Sequence, residues 1–482
     1  MPPEGIGSTD LIEHVEDAMR ILIIGGGYTG FYTAWRLEKR LHPREAEVTV
    51  VDPRGYMTYQ PFLPEVMAGS VEARHAIVSL RSHLRRTRII AGHATSIDHA
   101  HRTVTVHTGD TAPQAIEYDI LVVTAGAVTR TLPIPGLAEQ AIGLKQVEEA
   151  VWIRDRLLTA FDEAAALPSG PARTRALTVT VVGGGFTGVE AFGELLSLAT
   201  SLLRSYPEIA FSDLSFHLIE AQARILPEVT DGPGRWVVRH LEQRGAHIHT
   251  ESQVTSVRGG HIELAAGETF DTNLLIWAVG NGSNPVIARH TDLPVDDRGL
   301  LRVRADLRVG TDAALVPDAW GAGDNAAVPD LSSAAPGALT VPNAQHAVRQ
   351  GKHLADNLVA HLRGKAVRPY SHRSLGTVAT LGMHEGVFQY RRLIIKGLVA
   401  WLMHRGYHVL AIPTWERKLR VLLVWLSAAL FGRDIVALRG VEEPRAAFLA
   451  AGDPDVLRSR HKHIGAETDA GEHELSGADR AR

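Results

Sequence analysis

The sequence predicts an α/β protein that contains two copies of one strand–loop–helix architecture. Two segments, RILIIGGGYTG at residues 20–30 and LTVTVVGGGFTG at residues 177–188, each run from a Val- and Ile-rich stretch into a glycine-rich loop. Two further apolar runs, at residues 118–129 and 271–282, end in similar turns. Short apolar runs of this kind are typical of buried parallel strands, and helical patterns separate them along the chain. We therefore expect two separate parallel sheets.

The first glycine loop has the spacing of a dinucleotide-binding turn. In the pattern G-x-G-x-x-G, formed by Gly25, Gly27 and Gly30, the first glycine permits a tight turn and the second lets the backbone approach a pyrophosphate. The third lets helix and strand pack closely. Asp52 ends a later strand-like stretch, where a carboxylate can accept hydrogen bonds from a ribose. A plain tight turn with a solvent-facing aspartate is the alternative, which the strand context disfavours.

The second glycine loop repeats this spacing at Gly183, Gly185 and Gly188. Its acidic partner is Glu220, which ends the strand-like LSFHLIE. An acid at this position favours the free 2′-hydroxyl of NAD over the 2′-phosphate of NADP. Arg224 follows closely and weakens the preference, so the choice between NADH and NADPH stays open.

Three further residues near these loops are candidates for cofactor contact. Gly126 and Gly280 end the two other apolar runs and are expected to bind cofactor. Glu190 follows the second loop and has two interpretations. It is either a carboxylate that the helix dipole favours, or a group that positions the nicotinamide and its ribose. The spacing alone does not decide between them.

The composition excludes several classes of protein. The chain has 482 residues, enough for two or three domains, and a formal net charge of −4, which gives no indication of a nucleic-acid partner. It has no cysteine, so a disulfide framework, a thiolate metal site and a redox-active cysteine pair are all excluded. No metal-ligand spacing stands out among the other residues. Electrons from a bound cofactor must therefore pass directly to an external acceptor.

Four stretches of the chain carry a wider resemblance: GGGYTG with VTVVDPRGYMTYQPFLPEVMAG (residues 48–69), GGGFTGVEAFGEL (183–195), GAGDNAAVPD (321–330) and PNAQHAVRQGKHLADN (342–357). Through them the chain resembles the type II NADH dehydrogenases, single-subunit flavoproteins that pass electrons from NADH to quinone. The similarity extends from about residue 19 to residue 439.

The resemblance implies how the flavin is held. The Gly25 loop is expected to bind FAD, with Asp52 on its ribose, and the Gly183 loop with Glu220 is expected to bind NADH. Asp324 would meet the ribityl–phosphate region of FAD. The segment that contains Gln60 would lie close to the flavin ring.

Glu190 and Gln345 are the catalytic residues that the resemblance implies. Glu190 matches the family glutamate beside the nicotinamide. Ala344 and Gln345 match the start of an alanine–glutamine motif that lies, in the family, between the isoalloxazine ring and the quinone tunnel. The motif commonly has a second glutamine where this chain has Arg349, with Gln350 next. Arg349 is therefore a candidate for the acceptor channel, where it would stabilise a reduced anionic acceptor or signal a different one. A structural ion pair is the alternative.

The C-terminal region suggests attachment to a membrane surface. Two apolar runs, at residues 393–403 and 419–431, are bordered by tryptophan and basic residues and are too short to span a bilayer. Apolar helical faces of this kind suit an interfacial helix on anionic lipid. Packing of the helices into the core or a dimer interface is the alternative. The resemblance supports the membrane interpretation and a homodimer.

One unit is expected to be inserted in the other, because the stretch at residues 320–330 resumes the first unit after the second has ended. The fold class is thus α/β with two Rossmann-like dinucleotide-binding domains, the NAD unit inserted in the FAD unit, and a C-terminal helical membrane-association region. The expected segments are a disordered N-terminus (1–18), the first part of the FAD domain (19–145), the NAD domain (146–290), the second part of the FAD domain (291–385), the amphipathic membrane-association region (386–440) and a largely disordered tail (441–482).

Taken together, the residues and the resemblance predict a peripheral enzyme that transfers hydride from NADH to FAD and two electrons from FAD to menaquinone or ubiquinone, without pumping protons. The cytoplasmic face of the cell membrane is expected, because no secretory signal is visible. Two alternatives stay open. One is a soluble NAD(P)H-dependent ferredoxin-type reductase, and the other is a slow-turnover nucleotide-sensing flavoprotein.

Overall fold

The computed structural model describes residues 18–373 and 376–438, together with residues 444–445, 448 and 451. The segments expected to be disordered, 1–18 and 441–482, lie almost wholly outside the described residues. The chain divides into one unit of residues 1–435 and a second from residue 436 onward. The architecture below is that of the first unit.

The first glycine loop follows the central strand of a six-stranded sheet. All neighbouring strands are parallel except the first pair in the spatial order, which is antiparallel. Residues 21–24 of the central strand are buried, as expected for an Ile-rich run in a sheet covered on both faces. In spatial order the strands are Arg308–Gly310, Leu315–Gly321, Ile120–Val123, Met19–Ile24, Ala46–Asp52 and Arg88–Ala91.

The second glycine loop follows the central strand of a five-stranded parallel sheet. Its strands are, in spatial order, Ala141–Ile142, Leu274–Trp277, Thr178–Val182, Ser215–Ile219 and Ala246–His249. After this sheet is complete, the chain returns to the first one, where residues 319–321 pair with residues 121–123. The predicted fold class, with one nucleotide-binding unit inserted in the other, is confirmed.

Twelve helices surround the sheets in the part of the chain that the structure describes. They are α1 (Tyr28–Arg40), α2 (Leu63–Met67), α3 (Leu80–His83), α4 (Leu137–Gln140), α5 (Val147–Ala165), α6 (Pro171–Ala176), α7 (Phe186–Leu202), α8 (Asp231–Gln243), α9 (Pro285–Ala288), α10 (Ala344–Leu362), α11 (Leu398–Ala411) and α12 (Trp415–Phe431).

Smaller sheets connect and cover the two domains. Three are two-stranded: Tyr56–Thr58 with Ile77–Ser79, Ala127–Thr129 with Asn281–Ser283, and Leu301–Arg302 with Ala326–Ala327. Three have three strands: His93–Asp98, Thr103–His107 and Gln114–Glu117; Val254–Ser256, His261–Leu264 and Thr269–Asp271; and Thr377–Thr380, Gly386–Tyr390 and Leu393–Lys396.

Helices α1 and α10 cross at a very short distance, because a glycine lies at the crossing. A Cβ atom added at Gly351 would lie 2.5 Å from the backbone oxygen of Thr29. The approach lets the hydroxyl of Thr33 donate to the carbonyl of Gly351 at 3.1 Å. The start of α10 is thereby fixed beside the first glycine loop.

The first C-terminal apolar run is divided in two, which differs from the expected helix. Residues 393–396 form an edge strand, and α11 begins only at Leu398. Gly397 lies between them with φ of +68°, a conformation that favours glycine and turns the chain. Among the described residues, no helix is both long and apolar enough to cross a membrane.

Candidate functional site

Both glycine loops open into one cavity of about 1990 Å³. Ligand pockets typically measure about 300–1,000 Å³, so this cavity has room for two ligands. Among its walls are most of the predicted site residues: Gly25, Gly27, Asp52, Gln60, Gly126, Gly183, Gly185, Glu190, Glu220, Gly280, Asp324, Ala344, Gln345 and Arg349. The two remaining predicted residues, Gly30 and Gly188, do not line it. Each packs against its own loop, where a Cβ would lie within 2 Å of the carbonyl of Gly25 or Gly183.

The first loop is built around the Asp52 carboxylate. Gly25 has φ of +97°, and the next amide, of Gly26, donates to Oδ2 of Asp52 at 2.7 Å. The amide of Arg54 donates to Oδ1 at the same distance. Burial raises the pKa of Asp52. A Cβ at Gly27 would meet no atom within 4 Å, so the loop leaves space for a pyrophosphate at the start of α1.

The second loop repeats this arrangement with a glutamate. The amide of Gly184 donates to Oε2 of Glu220 at 2.6 Å, and the amide of Gln222 donates to Oε1 at 2.8 Å. The Arg224 guanidinium is occupied elsewhere, because it donates to Asp231 at 2.9 Å and to two carbonyls of its own loop. Arg224 also lies outside the cavity wall. Arg224 therefore does not compete with the carboxylate of Glu220 for a ligand in the cavity.

Glu190 is a largely buried acid, with 12% of its side chain exposed, and not a helix-terminal charge. It is the fifth residue of α7, beyond the first turn. Its Oε1 accepts a hydrogen bond from the amide of Thr380 at 3.1 Å and lies 3.2 Å from Nε2 of His404. Burial raises the pKa of Glu190 to about 8. The side chain is therefore mostly protonated at neutral pH, at the cavity wall.

Sequence reasoning missed the buried histidines behind Glu190. Burial lowers the pKa of His404 to about 3, and the pKa of His408 lies well below its ordinary value for the same reason. The two rings are 4.4 Å apart, and Nδ1 of His408 lies 3.0 Å from the hydroxyl of Tyr59. Their i, i+4 spacing on α11 was a visible signal, although 24 histidines in the chain obscured it.

A second missed group lies beside Asp324. The Lys145 ammonium donates to Oδ1 of Asn281, whose amide group lies 3.4 Å from Oδ2 of Asp324. Burial lowers the pKa of Lys145. Burial also raises the pKa of Asp324, and the positive charge of Lys145 partly offsets that rise. The side chain of Gln60 donates to the carbonyl of Lys145 at 3.2 Å. No motif or spacing marked this lysine in the sequence.

The start of α10 forms another part of the wall. Asn343 caps the helix by accepting the amide of His346 at 2.9 Å, and Ala344 and Gln345 form its first turn. The side chain of Arg349 donates to the carbonyl of Gln345 at 2.9 Å. The neighbouring Gln350 is buried, where it accepts the amide of Gly323 at 2.7 Å. Gln350 thus binds the loop before Asp324. Arg349, and not Gln350, occupies the position at the cavity wall where the family motif commonly has its second glutamine.

A family model described as pyridine nucleotide-disulphide oxidoreductase matches residues 19–351 of this chain. The chain belongs to this family. It lacks the disulphide of the family's name, since it has no cysteine. The predicted oxidoreductase class and the FAD cofactor are thereby confirmed.

Among the described residues, no group of three or more His, Asp or Glu side chains could hold a metal ion.

Relatives of similar length agree with the resemblance to type II NADH dehydrogenases, which is confirmed. A demethylphylloquinone reductase from Synechocystis is 28% identical over 421 residues, 85% of this chain and 96% of its own. A type II NADH:quinone oxidoreductase from Mycobacterium tuberculosis is 29% identical over 423 residues, 84% of this chain and 86% of its own. The structure of NDH2 from Plasmodium falciparum in complex with NADH matches with a TM-score of 0.78 at 18% identity, covering 87% of this chain and 99% of that one. At this identity, the structural match speaks for the fold alone.

Proposed function

We propose that this protein transfers hydride from NADH to FAD and passes two electrons from the reduced flavin to a quinone, menaquinone or ubiquinone. The observation that carries the proposal is the single cavity, which joins the two glycine loops to the first turn of α10. The relatives named as quinone reductases support the identity of the acceptor.

The two carboxylates would select the two nucleotides. Asp52 presents its oxygens to the cavity beside the start of α1, where it would bind the FAD ribose. Glu220 presents its carboxylate to the cavity beside the start of α7, and Arg224 is turned away from it. Glu220 would therefore accept a hydrogen bond from the 2′-hydroxyl of NADH and repel a 2′-phosphate. The bound flavin supplies the redox chemistry, and the protein supplies position and charge.

Glu190 and Gln345 would act at the reacting ends of the ligands. The neutral carboxyl of Glu190, hydrogen-bonded to the amide of Thr380, can hold a proton next to the nicotinamide without adding a negative charge. Gln345, in the first turn of α10, would contact the acceptor near the flavin. Lys145 would add a positive charge close to Asp324 and the ribityl chain.

The exposed face of the two last helices favours an acceptor in the membrane. Exposed apolar side chains on α11 and α12 include Leu402, Leu410, Trp415, Leu426 and Phe431, the last of which is 86% exposed. A soluble ferredoxin-type reductase would have no use for so large an apolar surface. We propose that this face lies on the cytoplasmic side of the cell membrane, bordered by basic residues. The homodimer stays a prediction.

The proposal is tested by reducing the FAD-loaded protein with NADH in the absence of oxygen and following the flavin absorbance. Menadione or a short-chain ubiquinone should restore the oxidised spectrum within a turnover. Reoxidation by a ferredoxin but not by either quinone would contradict the proposal. A turnover so slow that the reduced complex persists with every acceptor would instead favour the nucleotide-sensing alternative.

A further inference from the structure

The cavity wall between α1 and α10 carries two positive charges. Arg349 and Lys352 of α10 both line the cavity, and their i, i+3 spacing places them on one helix face. Tyr32 and Trp35 of α1 line the same wall. We call these four residues the basic arm.

The two cations of the basic arm are not neutralised by the protein. Among the described residues, neither forms an ion pair, and Arg349 uses one donor on the carbonyl of Gln345. A guanidinium has five N–H donors, so most remain available to a ligand. The Lys352 ammonium lies 5.0 Å over the ring of Tyr32. Burial, Arg36, Arg349 and Lys39 lower the pKa of Lys352, as expected where positive charges are crowded.

Of the two acids near this wall, one is paired with cations. Asp356 pairs with Arg36 at 2.7 Å, and with Arg40 at 3.3 Å. Asp330 accepts hydrogen bonds from the amide and hydroxyl of Ser332 at 2.9 and 2.7 Å. The hydrogen bonds from Ser332 do not cancel the charge of Asp330, which lines the cavity and forms no ion pair among the described residues. One unpaired carboxylate thus stands against the two cations, and the wall keeps a net positive charge.

The neighbouring histidines do not change this balance. Burial lowers the pKa of His346, and the charge of Arg349 lowers it further, while Asp330 partly opposes both. Burial and Arg349 also lower the pKa of His372, again against Asp330. Both rings are therefore mostly neutral at neutral pH. His346 is held in place by a 2.9 Å contact between its Nδ1 and the hydroxyl of Tyr370.

We propose that the basic arm recognises an anionic substituent on the electron acceptor, so that the preferred acceptor is an aromatic quinone carrying a carboxylate or an equivalent oxyanion. The proposal rests on the proposed function as a quinone reductase and names the class of its acceptor. The planar guanidinium fork of Arg349 matches the two oxygens of such a group. A glutamine in place of Arg349 would supply no charge.

The position of Arg349 favours the acceptor over a lipid headgroup as the source of the anion. Arg349 is hydrogen-bonded to the first turn of α10, beside Gln345, whereas the exposed apolar face that would meet lipid lies on α11 and α12. Its charge therefore acts where the acceptor is expected to be reduced.

The proposal is tested by binding to the oxidised, FAD-loaded protein without NADH, so that no turnover occurs. Naphthoquinone sulfonate serves as the anionic probe and menadione as the neutral one, with the flavin absorbance as the signal. Arg349→Gln should raise the Kd of the sulfonate about tenfold relative to that of menadione, since hydrogen bonds to charged groups contribute roughly 1.5–3 kcal/mol. Arg349→Lys should have an intermediate effect. Lys365→Gln, an exposed charge outside the cavity, is the matched control and should not change the ratio.

An unchanged ratio in Arg349→Gln, or equal weakening of both probes, would overturn the proposal. Binding to vesicles that contain phosphatidylglycerol is measured as well. If Arg349→Gln weakened vesicle binding and left sulfonate binding intact, the basic arm would bind a lipid phosphate, and the proposal would be wrong. Failure of the proposed function is seen separately, as NADH-reduced flavin that menadione does not reoxidise.

Discussion

Asp52 and Glu220 hold equivalent positions in the two nucleotide-binding loops. Each carboxylate accepts one amide of its glycine loop and one amide two residues after itself. A side chain held at both oxygens has a fixed orientation, so each loop presents a preformed edge to a ribose. The difference of one methylene is the only chemical distinction between the two acids.

Replacing Glu220 with Gln tests the assignment of the two loops. The variant loses the charge that faces the ribose and should raise the KM for NADH about tenfold, because hydrogen bonds to charged groups contribute roughly 1.5–3 kcal/mol. Steady-state kinetics with NADH and NADPH, together with the FAD content per chain, provide the measurement. The FAD content should stay at the wild-type level, whereas Asp52→Asn should lower it. Loss of FAD from Glu220→Gln would mean that the loops are assigned the wrong way round.

At the level of elements, the crossing of α1 and α10 controls where the acceptor end of the cavity lies. Gly351→Ala places a methyl group 2.5 Å from the backbone of Thr29, so one helix must move. Such overpacking typically costs about 1–3 kcal/mol. The free energy of unfolding in urea should fall by that amount, and FAD should bind less tightly because α1 carries the first loop.

Gly406→Ala is the matched control for this prediction. Gly406 lies within α11, is exposed, and a Cβ there would meet no atom within 4 Å. Alanine is favoured over glycine in a helix by up to about 1 kcal/mol, so this variant should be as stable as the wild type or more so. Equal effects of the two substitutions would contradict the proposed close crossing.

The exposed apolar face of α12 is expected to contribute to membrane binding. Leu422 and Leu426 are 49% and 57% exposed on one side of the helix. Since burying a leucine contributes about 1.5–3 kcal/mol, the double change to Glu should weaken binding to vesicles by tenfold or more. Co-sedimentation with phosphatidylglycerol vesicles measures it. Leu331→Glu, on an exposed leucine away from the C-terminal helices, should leave vesicle binding unchanged; equal losses would point to a general effect of charge.

Across the whole molecule, buried charges join the C-terminal helices to both cofactor domains. Glu65 of α2 and Glu194 of α7 are fully buried. Nε of Arg405, on α11, lies 3.4 Å from Glu65, and Arg433 lies 3.9 Å from Glu194. The attraction of Arg405 for Glu65 is too weak to offset the loss of hydration, so burial raises the pKa of Glu65 to about 8.

This arrangement predicts a stability that declines as the pH rises. Below an ordinary glutamate pKa of about 4.3, Glu65 is protonated in both the folded and unfolded chain. Between that value and about 8 the folded state binds more protons than the unfolded one, so each pH unit removes up to about 1.4 kcal/mol per group. Urea unfolding of the wild type and Glu65→Gln across this range is the measurement. Glu65→Gln should show a shallower decline, and parallel curves for the two proteins would refute the prediction.

Much of the fold was predictable from local patterns. The Ile- and Val-rich runs identified the central strands, and the glycine spacings identified the two loops, because strand burial and tight turns depend on residues close together in the chain. The division of the run at residues 393–403 was not predicted, because its apolar character fits an exposed edge strand as well as a helix. Gly397 alone marked the break.

The sequence by itself determined the two nucleotide-binding loops, their acidic partners, the inserted topology and the exclusion of cysteine chemistry. Only the tertiary structure decided that Glu190 faces His404, that Arg224 turns away from Glu220, that Lys145 lies beside Asp324, and that Gln350 is buried while Arg349 lines the cavity. Most of these contacts join residues that are distant in the chain. Arg349 and Gln350 are instead neighbours on α10 that point in different directions. Their geometry depends on how helices and domains pack, and burial then sets the charge state of each group, which no local pattern records.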